Sequence, residues 1–236
     1  MSIKTVKLIA LCGYARSGKD SFSSYFLDQA SEYTRFNFGD IIKDFFDNFL
    51  ARRITMNQLE AEMSQVLSSE KSEEDLKEFL SKYAEPYEKA MHSISAFSED
   101  NVDKEIIRPI LEHGGEVIYD WVSSTYFRSL DEYVAQGRSV VNTRLCRLPE
   151  AEEWKRRGGI IVYIDRLNHP PATDWDKKMV DDLLSNSHVA LSVINDSTDS
   201  SDWNSQSRKF AEYLEESYDD IKYHFEKYGS RLVMKR

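Results

Sequence analysis

Between residues 13 and 20 the chain reads Gly-Tyr-Ala-Arg-Ser-Gly-Lys-Asp. Two glycines frame the stretch, and a lysine and an acid follow at once. That order suits a loop that wraps an anion. Glycines let the backbone curl so that successive N–H groups turn toward one point. A helix starting at the second glycine adds the partial positive charge of its N-terminus. Lys19 brings a full charge to the same place. The oxygens of a polyphosphate are the ligand that Gly13, Ala15, Arg16, Ser17, Gly18 and Lys19 would hold together. The plainer alternative is a glycine turn between a strand and a helix. Asp20 stands where a hydroxyl is usual. It could ligate Mg²⁺ as a hard oxygen donor, with Ser21 as the competing ligand, or it could cap the helix.

The flanking elements have the pattern such a loop needs. Val6 and Leu8 to Leu11 form a short apolar run, as in a strand buried on both faces. Phe22, Tyr25, Phe26 and Ala30 then recur at helical spacing. Arg35 to Phe38 alternates as a second strand, and Gly39-Asp40 can cap a helix carrying Ile41, Ile42, Phe45, Phe46 and Phe49. Residues 106–130 read as helix broken at Gly114-Gly115. Ser139 to Asn142 reads as strand, Pro149 to Arg157 as helix and Gly159 to Ile164 as strand. Ala190 to Ile194 is the fifth strand. One last helix carries Phe210, Leu214, Ile221, Phe225 and Tyr228 on a single stripe. Strands alternating with helices imply an α/β fold with a mostly parallel five-stranded sheet covered on both sides.

Composition narrows the classes. The 236 residues include 41% hydrophobic and 31% charged side chains, with only 9 glycines and 5 prolines. Those proportions fit a globular chain with a full core and exclude a collagen-like or low-complexity one. A net charge of -10 argues against a general nucleic-acid binder. The acidity is uneven: residues 60–105 hold 13 acids and 5 bases. The segment 51–105, helical in pattern with Pro86 as its internal breaker, reads as an acidic helical insertion with a solvated face. Cys12 ends an apolar run as a buried thiol, so no disulfide framework is expected and a reducing cytoplasm fits. No apolar stretch is long enough to span a bilayer or to serve as a signal core, so no membrane partner is expected. His92, His113, His169, His188 and His224 form no metal-spaced cluster with the cysteines.

The ordered motifs resemble the P-loop nucleoside monophosphate kinases, and among them the bacteriophage deoxynucleoside monophosphate kinases. Arg16 to Asp20 matches that family's R-S-G-K-D turn. Phe38-Gly39-Asp40-Ile41-Ile42-Lys43-Asp44 is similar to its G-P-[IL]-K-[DE] segment, with Asp40-Ile41 in the proline region. Arg108, Glu112 and Gly114 to Ile118 resemble its arginine helix and G-T-[DE] stretch. Val140 to Arg144 resembles its D-x-R strand end, with Asn142 in place of the aspartate. Leu148 to Glu152 resembles its F-P-N-E helix start, and Val193 to Asp196 its I-x-N-D-G closing strand.

The resemblance implies a single P-loop kinase domain over residues 1–236, a P-loop NTPase of three α/β/α layers carrying the insertion. It implies ATP, with Mg²⁺, on the turn at residues 13–21, and a nucleoside monophosphate facing it across the carboxyl ends of the strands. Phosphoryl transfer needs in-line positioning and held charge, and the dianionic acceptor calls for arginine forks and lysine. Lys43, Arg108 and Arg144 are the cations offered, with Asp40 beside them. Arg144 lies just past a strand's carboxyl end. Arg16 and Arg166 would cover the triphosphate, with Arg147 a substitute for either. Glu150 holds Arg144 or a sugar or base edge, or caps its helix. Asn195 reads adenine or forms a loop. The expected reaction is transfer from Mg-ATP to a deoxynucleoside monophosphate, with Lys19, Arg144 and Arg166 as the catalytic set and a homodimer as one arrangement. Two alternatives stay open: a kinase for another small phosphorylated acceptor, of phosphomevalonate or dephospho-coenzyme A type, and a non-catalytic nucleotide-binding interaction protein.

Overall fold

The computed structural model describes residues 6–29, 32–67, 70–90, 94–98, 100–171, 173–186, 188–197 and 199–235. Ala30 and His92 lie outside them. In chain order the elements are β1 (Leu8–Cys12), α1 (Lys19–Leu27), β2 (Tyr33–Arg35), α2 (Phe38–Arg52), α3 (Met56–Ser64), α4 (Glu70–Ala90), α5 (Asn101–Val117) and α6 (Tyr119–Ala135). Then follow β3 (Ser139–Asn142), α7 (Leu148–Arg156), β4 (Ile160–Arg166), α8 (Asp174–Ser185), β5 (Leu191–Asn195), α9 (Ser200–Glu216), α10 (Tyr218–Tyr228) and β6 (Leu232–Met234). They gather into two compact units, one of Met1–Asn37 with Leu130–Arg236 and one of Phe38–Ser129.

The first unit is built on a six-stranded sheet in the order β2-β3-β1-β4-β5-β6. Every pairing is parallel. β1 is central, with Ile9 opposite Val141 on one side and Ile160 on the other. All five of its residues are buried, which explains its continuous apolar run. A hydrophobic core packs against it. Ile9, Leu11, Val141, Val162, Ile164 and Val193 pack there with Phe22 and Phe26 of α1, Trp203 and Leu214 of α9, and Ile221 of α10. α7 touches both β4 and α8, and its Trp154 is wholly buried with Nε1 donating to Ile160 O at 3.2 Å. The arrangement is compatible with three α/β/α layers.

A sixth strand corrects the expected five. β6 is three residues long and flanked by Arg231 and Lys235, too short for its period to stand out. The single last helix is in fact two, α9 and α10, separated at Ser217. The second strand lies earlier than expected, at Tyr33–Arg35, because Phe38 already begins α2.

The second unit is helical, α2 to α5 with most of α6. Phe45, Phe46, Phe49, Phe79 and Tyr83 form a chain of ring contacts through it, the tightest being Phe45 to Phe49 at 4.6 Å between centroids. Two expected breaks are absent. α4 continues through Pro86; the acceptor that a proline strands is the carbonyl of Lys82, an exposed residue that water can serve. α5 continues through Gly114-Gly115. These glycines serve close packing, since a Cβ on Gly114 would lie 2.3 Å from Phe46 Cζ and one on Gly115 2.7 Å from Ile42 Cδ1. The chain breaks instead at Ile118. No helix of the described residues is long and apolar enough to cross a membrane.

Candidate functional site

The carboxyl end of β1 opens into the loop 13–18, which leads into α1. Its backbone is unusual: Gly13, Arg16 and Gly18 have φ of +139, +61 and +102. Both glycines are required. A Cβ on Gly13 would come within 2.5 Å of Ile164 O, and one on Gly18 within 2.1 Å of Trp203 Nε1.

The loop's carbonyls are tied down from outside it. Asn195 Nδ2, at the end of β5, donates to Ser17 O at 2.9 Å, and Trp203 Nε1 of α9 donates to Gly18 O at 3.0 Å. Inside the loop, Ser17 N–H donates to Tyr14 O at 3.1 Å. Among the described residues, the N–H groups of Arg16, Gly18, Lys19 and Asp20 make no hydrogen bond. A braced loop with spare donors is the requirement for anion binding.

Lys19 closes the loop from within. Its Nζ donates to Gly13 O and Tyr14 O, both at 2.7 Å, with Ser17 Oγ at 3.4 Å. Burial pushes its pKa down, and the Asp176 and Asp20 carboxylates oppose that. Burial likewise raises the Cys12 and Cys146 thiols to about 12, so both stay protonated at neutral pH. The Asp20 carboxylate is exposed and, like Ser21 Oγ, makes no hydrogen bond among the described residues. Both are hard oxygen donors of the kind Mg²⁺ takes. No group of three or more His, Cys, Asp or Glu side chains that could hold a metal occurs among the described residues.

A second segment, from the end of β4 into α8, lies on the loop. Arg166 Nη1 donates to Arg16 O at 3.0 Å. His169 Nε2 is 2.8 Å from Ala15 O. A carbonyl only accepts, so that nitrogen carries the proton. Ala15 N–H donates to Asp176 Oδ2 at 3.1 Å, and Tyr14 OH to Asp181 Oδ1 at 3.3 Å. Burial raises the Tyr14 phenol, and Asp181 adds to that.

Next to β1, the carboxyl end of β3 opens into the loop 143–147. The buried Asn37 accepts from Thr143 N–H at 2.8 Å and from Thr143 Oγ1 at 3.1 Å. Asn142, where the resemblance has aspartate, accepts from Arg144 N–H at 2.9 Å. Glu150 is buried, receives Cys146 N–H and Arg147 N–H at 3.4 and 3.5 Å, and pairs with Arg147 Nε at 3.9 Å. It therefore caps α7. Arg144 is exposed, and its guanidinium has no hydrogen bond or ion pair among the described residues.

The sequence candidates therefore fall into two groups. Gly13 to Ser21, Arg144, Glu150, Arg166 and Asn195 belong to the first unit, around the carboxyl ends of β1, β3, β4 and β5. Asp40 and Lys43 on α2 and Arg108 on α5 belong to the second unit. There, Lys43 Nζ lies 5.3 Å from the Phe97 ring centroid and Arg108 is exposed. The Asn195 amide is occupied with the loop, its Oδ1 accepting from Ser197 N–H at 3.2 Å. His113 stacks on Tyr83 and His224 on Tyr228, both at 5.0 Å. His188 is buried, with Nδ1 unpartnered among the described residues.

Sequence reasoning did not single out Asp176, His169, Asp181 or Trp203. Thr173, which caps α8 through Asp176 N–H, signals that a helix starts there. Nothing local signals that the helix meets a loop about 160 residues earlier. No protein-family model matches this chain, and no curated protein matches it.

Proposed function

We propose that the protein is a nucleotide kinase that transfers the γ-phosphoryl group of Mg-ATP to a (deoxy)nucleoside monophosphate. One observation carries the reading: a doubly glycine-hinged loop with tied carbonyls, spare N–H donors and a converging lysine, at the carboxyl end of the central strand of a parallel sheet. From the neighbouring strands β1 and β3 the chain leaves in opposite directions across the sheet, through α1 to β2 and through α7 to β4. That is the position where ligands of open α/β sheets bind.

In this reading the loop 13–20 is a P-loop. Its amides and Lys19 hold the β- and γ-phosphates, and Arg16 and Arg166 lie where they can meet developing charge. An oxygen of the acceptor's phosphate bonds to the γ-phosphorus. The β–γ bridging oxygen leaves with its electron pair on ADP. The exposed guanidinium of Arg144 neutralises the acceptor. Mg²⁺ entering with ATP would find oxygen donors in Asp20 and Ser21 and would offset the charge between the phosphates.

The test is ADP release from Mg-ATP with each of the four deoxynucleoside monophosphates, on wild type and Arg144→Ala together. Turnover of at least one acceptor, weakened in the variant, is the expected result. No turnover on any of them sinks the reading. ADP release with a different phosphorylated acceptor would move it to another kinase class.

A further inference from the structure

The peptide of Ala15 is gripped on both sides by one arm. Its N–H goes to Asp176 and its C=O to His169. The neighbouring residues are held by the same arm, Arg16 O by Arg166 and the Tyr14 hydroxyl by Asp181. Four consecutive attachments therefore run from residues 166–181 onto residues 14–16. The arm's helix is fixed at its start, since Thr173 Oγ1 accepts from Asp176 N–H at 3.0 Å.

Asp176 is the notable member. A carboxylate only accepts hydrogen bonds and is negative, the two properties a phosphate oxygen presents to a backbone N–H. Asp176 reaches the Ala15 amide in the middle of the loop, beside the Arg16, Gly18, Lys19 and Asp20 amides that make no hydrogen bond among the described residues. Lys19, meanwhile, spends its donors on the loop's own carbonyls and Ser17. The loop thus carries an anion of its own, from the same chain.

We propose that Asp176 is a resident anion of the glycine loop, an autoinhibitory contact that a polyphosphate must displace, so that ligand entry and release of the α8 part of the arm, with Arg166 kept at the loop, are one event. The inference rests on the reading that this loop takes a polyphosphate. The binding-competent state is then the one with α8 released, and apparent affinity is scaled down by its population. Removing the carboxylate raises that population. Asn in its place keeps an acceptor oxygen for Ala15 N–H but loses the charge, so it releases α8 less than alanine does.

Inorganic tripolyphosphate, titrated calorimetrically into the full-length wild type, Asp176→Asn and Asp176→Ala, tests this directly. The expected result is an affinity gain of about tenfold in Asp176→Ala, with Asp176→Asn between it and wild type. Backbone amide exchange over residues 173–181 supplies a reading that needs no variant. Exchange there rises when tripolyphosphate binds wild type, and it is already fast in ligand-free Asp176→Ala. Equal affinity in all three proteins, or unchanged exchange on binding, overturns the inference and leaves the polyphosphate reading intact. Absence of tripolyphosphate binding in all three overturns both.

Discussion

Two loops leave the carboxyl ends of adjacent parallel strands, and they treat their backbones in opposite ways. In 143–147, after β3, every N–H has an acceptor: Asn37, Asn142, Leu11 and Glu150 supply them. No residue there has positive φ. In 13–18, after β1, three residues have positive φ and several N–H groups have no acceptor among the described residues. Its supports come from distant elements, β5, α9 and the β4–α8 arm. The first loop has all its N–H groups spent on neighbouring elements and offers the exposed Arg144 side chain. The second stores strain and unspent donors, and such features concentrate where ligands bind. A satisfied loop contributes to stability; an unsatisfied one is poised for a partner.

The comparison breaks most sharply at Lys19. Lys19→Ala is expected to lower kcat/KM for ATP by about three orders of magnitude, while urea unfolding shows a loss of no more than about 1–3 kcal/mol from its contacts within the loop. A larger loss of stability in that variant would make the lysine structural and the loop no different from its neighbour. Next comes Gly18→Ala, which forces a Cβ into φ of +102 and onto Trp203. It should destabilise by about 3 kcal/mol. Cys146→Ala in the other loop meets no such strain and should cost under about 1 kcal/mol. Similar unfolding midpoints for the two variants would remove the claimed difference in strain.

Glu150→Gln probes the loop after β3. It removes the charge that holds two N–H groups and Arg147, for an expected loss of about 1–2 kcal/mol by chemical denaturation. The smallest effect concerns the supports of the glycine loop. Asp199 caps α9, whose Trp203 braces Gly18. The Asp202 N–H and the Ser201 hydroxyl hold its carboxyl below the ordinary 3.8. A depressed carboxyl stabilises above the unfolded value and loses that contribution as pH falls through the folded value. Amide exchange at the start of α9 should therefore speed up as pH drops below about 3.8, beyond the intrinsic trend, and Asp199→Ala should abolish the step. An identical acid step in that variant would assign it to another group.

Much of the architecture was legible because the signals are local. The buried run of β1, the strand Ser139 to Asn142 and the proline-started α7 need only their own residues. The misses share a cause. Gly114-Gly115 reads as a break because glycine lowers helix propensity. Only the rings and methyls of α2 packed against it show that the missing Cβ is a packing requirement. Pro86 reads as a breaker, yet the ring contacts of Phe79 and Tyr83 along the same helix hold α4 in place. β6 is specified by its partner β5 more than by its three residues.

The candidate site divides the same way. Spacing alone marked the glycines, Lys19, Asp20 and Ser21, because a loop that must curl and hold charge writes its needs into consecutive residues. Glu150 and Asn195 were open between ligand contact and structural support, and their partners turned out to lie within the fold. The docking of His169 and Asp176 on Ala15 was invisible, since no periodicity links residues so far apart in the chain.

Sequence by itself determined most of the strands and helices and where an anion-binding turn could form, because those depend on contacts a few residues apart. Only the tertiary structure decided which polar groups were already spent and which remained available. Hydrogen-bond capacity is divided among groups that meet in space, and the chain order carries no record of those meetings.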